Sequence, residues 1–275
     1  MALKLPGLED VHAARRRIAG LAIRSPLVPY HGVPEDGSAG ANRIFLKLES
    51  LQPGGSFKIR AGGNALRSLA SDELGEGVYT ASAGNFALGI ALAAAELGCS
   101  LKVFAPEGAA RKKIEALKGL GATVELLPFE GWWKIMIDHG RAGEPGVFMH
   151  PVADPRVIAG NATIGLEIIE DLPETDCILV PFGGGGLISG IGSAAKALKL
   201  GVRMIGCESE AATPLAAALQ AGGPVKVPFD TGTFINGIGS TSVLDEMWPL
   251  VSVIVDGAAS VSVEEAGRAV VKLMS

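Results

Sequence analysis

Short apolar runs alternate with longer alanine- and leucine-rich runs along almost the whole chain, and this alternation most constrains the fold. The short runs are apolar on both faces, which is typical of buried strands: RIFLKLES, GVYTASA, SLKVFAP, ATVELLPF, GVFMHP, DCILVPFG and VRMIGCES. Longer runs between them have apolar residues at helical spacing and often end in glycine: FALGIALAAAELG, EGAARKKIEALKGLG, DPRVIAGNATIGLEIIEDL and GLISGIGSAAKALKLG. Strand–helix alternation predicts an α/β fold with mostly parallel sheets covered by helices.

Length and composition exclude several classes of protein. The 275 residues suffice for one large domain or two smaller ones, and without a long linker two domains would interleave. A net charge of −5 argues against nucleic-acid binding, and the longest apolar run is too short to span a membrane. Cys99, Cys177 and Cys207 form no CxxC pair and indicate thiols in a reducing compartment. We expect a cytoplasmic protein without nucleic-acid or membrane partners.

A glycine run follows the strand in ILVPFGGGGLISG and precedes a helix. In parallel sheets, ligands bind where strands end and helices begin. Four consecutive glycines let backbone N–H groups and a helix dipole surround a phosphate. A merely flexible turn is the alternative, but it does not require four glycines, so the run predicts a phosphate site.

A second strand end, YTASAGNFALG, carries serine and asparagine before a helix. Ser82 or Asn85 could simply cap that helix, because both residue types are favoured N-caps. Alternatively, these side chains and the exposed N–H groups could bind a small carboxylate. The residues alone do not decide between the two.

Lys58 follows a third predicted strand and the turn LQPGGS, in the first turn of the next helix. A helix dipole opposes a cation there and favours the neutral amine that a nucleophile or base needs. Most lysines are merely solvated. A phosphate-bearing aldehyde cofactor joined to Lys58 would nevertheless explain all three strand ends together.

Three motifs carry a resemblance to a known family: KLESLQPGGSFKIR at 47–60, SAGN at 82–85 and GGGGL at 183–187. Together they resemble the pyridoxal-phosphate (PLP) enzymes of the threonine/serine dehydratase group, which includes serine racemase. IRSPL and HPVADPRVIAGNATIGLEI resemble further family segments. The resemblance implies fold type II, similar to the tryptophan synthase β subunit, with two interleaved three-layer domains. Residues 1–76 and 150–275 would form a large cofactor-binding domain, residues 77–149 a small substrate-binding domain, and two copies a homodimer.

The resemblance also implies roles for the matching residues. Lys58 would hold the cofactor covalently and later move the substrate α-proton, and Phe57 would pack against the cofactor ring. Asn85 would bind the 3-hydroxyl and Gly237 would border the cofactor. The phosphate would be held by the backbone of Gly183, Gly184, Gly185, Gly186 and Leu187. The substrate site would comprise Ser82, Ala83, Gly84, Asn85 and Phe86.

The implied reaction is the elimination of water from L-threonine or L-serine, after which hydrolysis of the released enamine gives a 2-oxo acid and ammonia. SAGN with four glycines favours elimination, and Ala83 disfavours racemisation because its methyl group cannot exchange a proton. Phe86 replaces the family's usual histidine and makes the pocket more apolar. We expect no metal, since Glu208 matches a ligand in some relatives but Pro214 falls at the second carboxylate.

Other interpretations remain open. The chain ends at Ser275, before the family's last strand with its pyridine-nitrogen partner, so it is either a fragment or a natural short form of lower activity and stability. It could then be a PLP-binding pseudoenzyme or a weakly active, racemase-like relative. GIGSAA at 190–195 and Glu208 also fit a nicotinamide oxidoreductase. That interpretation, however, gives Lys58 and SAGN no functional role.

Overall fold

The computed structural model describes residues 3–31, 43–235 and 237–274, and it has the alternating architecture that the sequence predicts. Its strands are β1 Leu27–Tyr30, β2 Ile44–Lys47, β3 Val78–Ala81, β4 Leu101–Pro106, β5 Thr123–Leu127, β6 Val147–Phe148, β7 Cys177–Pro181, β8 Arg203–Ser209 and β9 Gly257–Val261. Its helices are α1 Leu8–Arg17, α2 Lys58–Arg67, α3 Ser71–Glu76, α4 Asn85–Leu97, α5 Arg111–Gly119, α6 Phe129–Ile137, α7 Pro155–Asp171, α8 Gly186–Leu198, α9 Pro214–Ala221, α10 Trp248–Ile254 and α11 Val263–Met274.

Two parallel sheets organise the molecule, as an α/β fold requires. One has the strand order β5-β4-β3-β6 and the other the order β7-β8-β9. Helices cover these sheets because parallel strands need crossover connections. A third, two-stranded sheet pairs β1 with β2 in antiparallel fashion. The strands of the four-stranded sheet all come from residues 78–148, and those of the three-stranded sheet from residues 177–261.

The sequence prediction was incomplete at the sheet edges. It missed β1, whose four residues include Pro29, and β9, which consists mainly of small residues (GAASV). It also expected the DCILVPFG strand to be buried on both faces, which is wrong for β7 at the sheet edge, where Leu179 is 65% exposed. Across the described residues, no helix combines the length and apolarity needed to cross a bilayer.

Helices α2 and α4 cross closely enough to bring their N-termini together. A Cβ atom added at Gly89 of α4 would lie 2.6 Å from the carbonyl carbon of Lys58, and one at Gly62 of α2 would lie 2.8 Å from the backbone nitrogen of Ile90. Only glycine permits these separations, so the two glycines set the distance between the helices. Lys58 therefore begins its helix beside the start of α4.

A buried ionic network fixes the orientation of α2. The Arg60 guanidinium is 1% exposed and contacts Glu49 at 2.8 Å and Glu167 of α7 at 2.6 Å. Lys47 of β2 contacts the same Glu167 at 2.6 Å. Because breaking such a network leaves uncompensated buried charge, it ties α2 to β2 and α7. Lys58 lies two residues before Arg60, so the network also constrains the position of the lysine.

Candidate active site

Lys58 is the first residue of α2, in agreement with its predicted place in the first turn. The residue is half-buried, and burial of its amine lowers the pKa of Lys58 to about 8. The surroundings are aromatic: Nζ lies 4.8 Å from the ring centroid of Phe57 and 5.9 Å from that of Phe86. Within the described ranges, no carboxylate pairs with this amine. About a tenth of it is therefore neutral and nucleophilic at pH 7, and about half at pH 8.

The glycine run forms the turn from β7 into α8. Gly185 has a φ of 90° and precedes the helix without a side-chain cap. No hydrogen bond within the described part of the chain uses the backbone N–H groups from Gly183 to Ile188; the next N–H, that of Ser189, donates to the Gly185 carbonyl. A series of free N–H groups at the N-terminus of a thirteen-residue helix fits an anion. These residues therefore fit the phosphate of the predicted cofactor.

The need for glycine differs along this run. A Cβ atom at Gly184 would lie 2.7 Å from Val152 Cγ1, and one at Gly185 would lie 2.7 Å from Val251 Cγ2. At Gly183 the nearest neighbour would be Ile238 Cα at 3.7 Å. Close packing thus requires glycine at two positions, while a Cβ atom at Gly183 would make only an ordinary van der Waals contact.

One cavity brings Lys58 and the glycine run together. The predicted cofactor-binding residues on its wall are Phe57, Lys58, Gly183, Gly184, Gly185, Gly186, Leu187 and Gly237. The remaining described wall residues, which sequence reasoning did not identify, are Pro151, Val152, Asn161, Pro181, Ile188 and Ile238. Residues 57–58, 183–187 and 237 lie far apart in the sequence, and the fold places them around one cavity.

The predicted substrate residues lie at the start of α4, beside this cavity but outside its described wall. The helix begins at Asn85 with Gly84 as N-cap, and neither predicted side chain caps it. Instead, the Ser82 hydroxyl accepts the Gly84 N–H at 3.3 Å. The N–H groups of residues 85–87 have no acceptor among the described residues, while the next one, that of Leu88, donates to the Gly84 carbonyl at 3.3 Å. This helix start is therefore free to receive a carboxylate. The roles of Ser82, Ala83 and Asn85 stay predictions.

His150 supports the cavity wall from behind. It is 3% exposed, and burial lowers its pKa to about 3, so the ring is neutral. Nδ1 accepts the N–H groups of Val152 at 3.1 Å and Ala153 at 2.7 Å, which places the ring hydrogen on Nε2. This arrangement fixes Val152, whose side chain packs against Gly184.

A cluster of His139, His150 and Glu246 has ligand atoms within 4.8 Å of one another. The two rings stack with centroids 4.7 Å apart at 22°, so their in-plane lone pairs run nearly parallel instead of converging. Nε2 of His150 also carries the ring hydrogen, so this nitrogen has no lone pair to offer a metal ion. His139 pairs with Glu246 at 2.7 Å. The cluster is a hydrogen-bonded pair of His139 and Glu246 stacked over a neutral histidine, and its geometry does not suit a metal ion.

The residues of the oxidoreductase interpretation have structural roles here. The Glu208 carboxylate accepts the N–H groups of Leu215 at 2.7 Å and Ala216 at 3.0 Å, at the start of α9. Burial raises the pKa of Glu208. Gly190 lies inside α8, where a Cβ atom would come within 2.5 Å of the Ile158 carbonyl oxygen on α7. Glu208 therefore caps a helix, and Gly190 permits helix packing.

Comparisons with known proteins indicate the same cofactor as the geometry of the cavity. A family model described as "Pyridoxal-phosphate dependent enzyme" matches residues 18–275. An L-threonine ammonia-lyase of Thermotoga maritima is 38% identical over 97% of this chain, which spans 66% of that relative's length. The L-threonine dehydratase catabolic TdcB of Escherichia coli K12 is 36% identical over 97% of this chain and 80% of the relative. The structure of maize serine racemase superposes with a TM-score of 0.84 at 31% identity, covering 95% of this chain and 78% of that one.

Proposed function

The chain belongs to the pyridoxal-phosphate dependent enzyme family, and we propose that it is an ammonia-lyase that converts L-threonine or L-serine to a 2-oxo acid and ammonia. One observation carries the proposal: the amine of Lys58, with its lowered pKa, shares a cavity with the unpaired N–H groups of a glycine run. An aldehyde-bearing phosphate ester satisfies both features at once. The relatives named threonine ammonia-lyase and threonine dehydratase support the choice of reaction.

Pyridoxal phosphate, when bound, withdraws electrons from the α-carbon of an attached amino acid and so makes the α-proton removable. The chain's residues supply the rest. The backbone from Gly183 to Leu187 holds the phosphate, and Phe57 lies beside Lys58 where it can pack on the ring. Lys58 holds the cofactor covalently. Once released by substrate, the same amine takes the α-proton, and a pKa of about 8 keeps enough of it neutral to act as a base.

The start of α4 is our proposed site for the substrate carboxylate. Its free N–H groups and helix dipole favour an anion, and the crossing of α2 and α4 places it next to Lys58. Phe86, 2% exposed, gives this side of the site an apolar surface. Ala83 offers no group that returns a proton to the second face of the α-carbon, so elimination is favoured over racemisation.

We also propose the two-domain organisation that the sequence predicts. Residues 77–149 would move as a small domain toward the large domain formed by 1–76 and 150–275, and closure would keep water from the reacting carbon. Finally, we propose that the enzyme is a cytoplasmic homodimer. The free thiols of Cys99, Cys177 and Cys207 are consistent with a reducing compartment.

Two measurements test the proposed function. Borohydride reduction of the PLP-loaded protein, followed by peptide mass mapping, is expected to place the label on Lys58. Incubation with L-threonine is expected to give 2-oxobutanoate and ammonia in equal amounts, and Lys58→Ala to abolish both products while Lys112→Ala, at an exposed position, retains them. A label on another lysine would contradict the assignment. Formation of D-allo-threonine from L-threonine, or of D-serine from L-serine, without a 2-oxo acid would contradict the reaction.

A further inference from the structure

The cavity around Lys58 contains few groups that could neutralise an anion. Of the described residues on its wall, only Lys58 and Asn161 have polar side chains. Helix α2 contributes Lys58 as the single titratable group. The surrounding segments α7, α8, the end of β7, residues 151–152 and residues 237–238 contribute none, and the nearby His150 is neutral. A phosphate bound at the glycine run therefore meets backbone N–H groups and one neutral amide.

Asn161 projects from α7 and is 1% exposed. Its Nδ2 donates to the carbonyl oxygen of Gly186 at 3.1 Å. This contact fixes the amide orientation, because the opposite one would set two carbonyl oxygens against each other. Oδ1 then has no hydrogen-bond partner in the described part of the chain. A buried acceptor without a donor is unfavourable, and this one belongs to the wall of the cofactor cavity.

The missing donor defines what the ligand must offer. A fully ionised phosphate has only acceptor oxygens and would repel Oδ1. A phosphate monoester loses its last proton near pH 6, and below that pH it carries one O–H group. We propose that Asn161 Oδ1 accepts a hydrogen bond from the protonated phosphate oxygen of the cofactor and so keeps that phosphate monoanionic to higher pH than in free PLP. This inference rests on the proposed function, since it assumes that PLP occupies the cavity.

Asn161 is thereby a cofactor-binding residue with a chemical consequence. It would hold a proton at the phosphate, in the same cavity as Lys58. Among the described wall residues, no cationic side chain other than Lys58 is present to lower the phosphate pKa. Its Nδ2 contact would at the same time keep the first carbonyl of α8 turned toward α7 and its N–H groups toward the ligand. One side chain would thus serve both the binding and the ionisation state of the phosphate.

The test is a ³¹P NMR pH titration of the PLP-loaded protein, compared with Asn161→Leu and Asn161→Asp. The leucine variant removes the acceptor and is expected to lower the phosphate pKa by about half a unit to one unit. The aspartate variant keeps an acceptor of the same size and adds charge, so it is expected to raise that pKa. Opposite signs from two variants with the same number and branching of side-chain heavy atoms separate this role from a general loss of packing.

Asn64→Leu is the matched control. Asn64 is also 1% exposed and donates through Nδ2 to a backbone carbonyl, that of Arg156, at 2.7 Å. Its Oδ1, however, already accepts from Arg17 and it lies off the cavity wall. This variant is expected to leave the phosphate pKa unchanged.

A binding measurement supplies a second readout. The ratio of PLP dissociation constants, Asn161→Leu over wild type, is expected to be about 3- to 10-fold larger at pH 5.5 than at pH 8.5, because the lost hydrogen bond exists only with protonated phosphate. A ratio independent of pH, or a ³¹P titration unaffected by Asn161→Leu, would overturn the inference while PLP remains bound at Lys58. Failure of the wild-type protein to bind PLP would instead overturn the proposed function.

Discussion

Replacing Lys58 with methionine is expected to make the cofactor-free protein more stable while abolishing its activity. Burial lowers the pKa of Lys58 from 10.5 to about 8, so below pH 8 the folded protein retains a buried ammonium ion. The shift corresponds to about 3 kcal/mol of lost stability, from 1.36 kcal/mol per pKa unit. Methionine has a similar length and no charge, so Lys58→Met would remove this penalty.

The sign of the pH dependence follows from proton linkage. Between pH 8 and 10.5 the unfolded chain holds the Lys58 proton and the folded protein has released it, so wild-type stability rises with pH through this window. The stabilisation by Lys58→Met is therefore full below pH 8 and disappears above 10.5. We expect a gain of about 3 kcal/mol at pH 7 and about 1.5 kcal/mol at pH 9.5.

Urea unfolding of the cofactor-free proteins at both pH values measures this gain. Lys112→Met, at an exposed position on α5, is the control and is expected to change stability by no more than about 0.5 kcal/mol at either pH. An equal gain from Lys58→Met at both pH values would show that packing and not a buried charge is responsible. No gain at pH 7 would refute the buried-amine argument itself.

Three further predictions concern the surroundings of Lys58. Gly185→Ala and Gly201→Ala both place a methyl group at a residue with positive φ, but only the one at Gly185 meets a neighbour, Val251 Cγ2 at 2.7 Å. PLP titration is therefore expected to show weaker binding for Gly185→Ala alone. Arg60→Met is expected to lower the free energy of unfolding by about 3–5 kcal/mol in urea titrations, because it breaks the buried ionic network. The control Arg111→Met, at an exposed position, is expected to lower it by less than about 1 kcal/mol. Similar values for the two variants would contradict the stabilising role of the network. Because the pKa of His150 falls from 6.5 to about 3, wild-type stability should drop as pH falls through that range, and His150→Gln should flatten the drop in acid unfolding curves.

Several features followed from the sequence alone because they depend on local patterns. Alternating apolar runs predicted the parallel α/β architecture, since strand and helix periodicities are properties of neighbouring residues. The glycine run predicted a phosphate site because consecutive residues without Cβ atoms leave backbone N–H groups accessible. The turn before Lys58 likewise predicted that this residue lies at a helix start, but the sequence did not show the burial that lowers its pKa.

Other features depended on which segments the fold brings together. Asn161 lies in a segment quoted for its resemblance to the family, yet nothing local distinguishes it from a packing residue of α7; only its missing partner on the wall of the cavity does so. A lone asparagine in the otherwise apolar stretch from Val157 to Ala162 was the one available signal. Glu208 could equally have bound a ribose or a metal until the structure placed the start of α9 against it.

Sequence motifs thus determined which chemical groups this chain offers, because residue type and spacing fix local conformation. Tertiary structure decided which of those groups meet and in what charge state. Lys58 precedes Asn161 by 103 residues and Gly183 by 125, and their shared cavity exists only because α2, α7 and α8 pack together. Burial, which sets the pKa of Lys58 and leaves Asn161 Oδ1 without a donor, is a property of that packing.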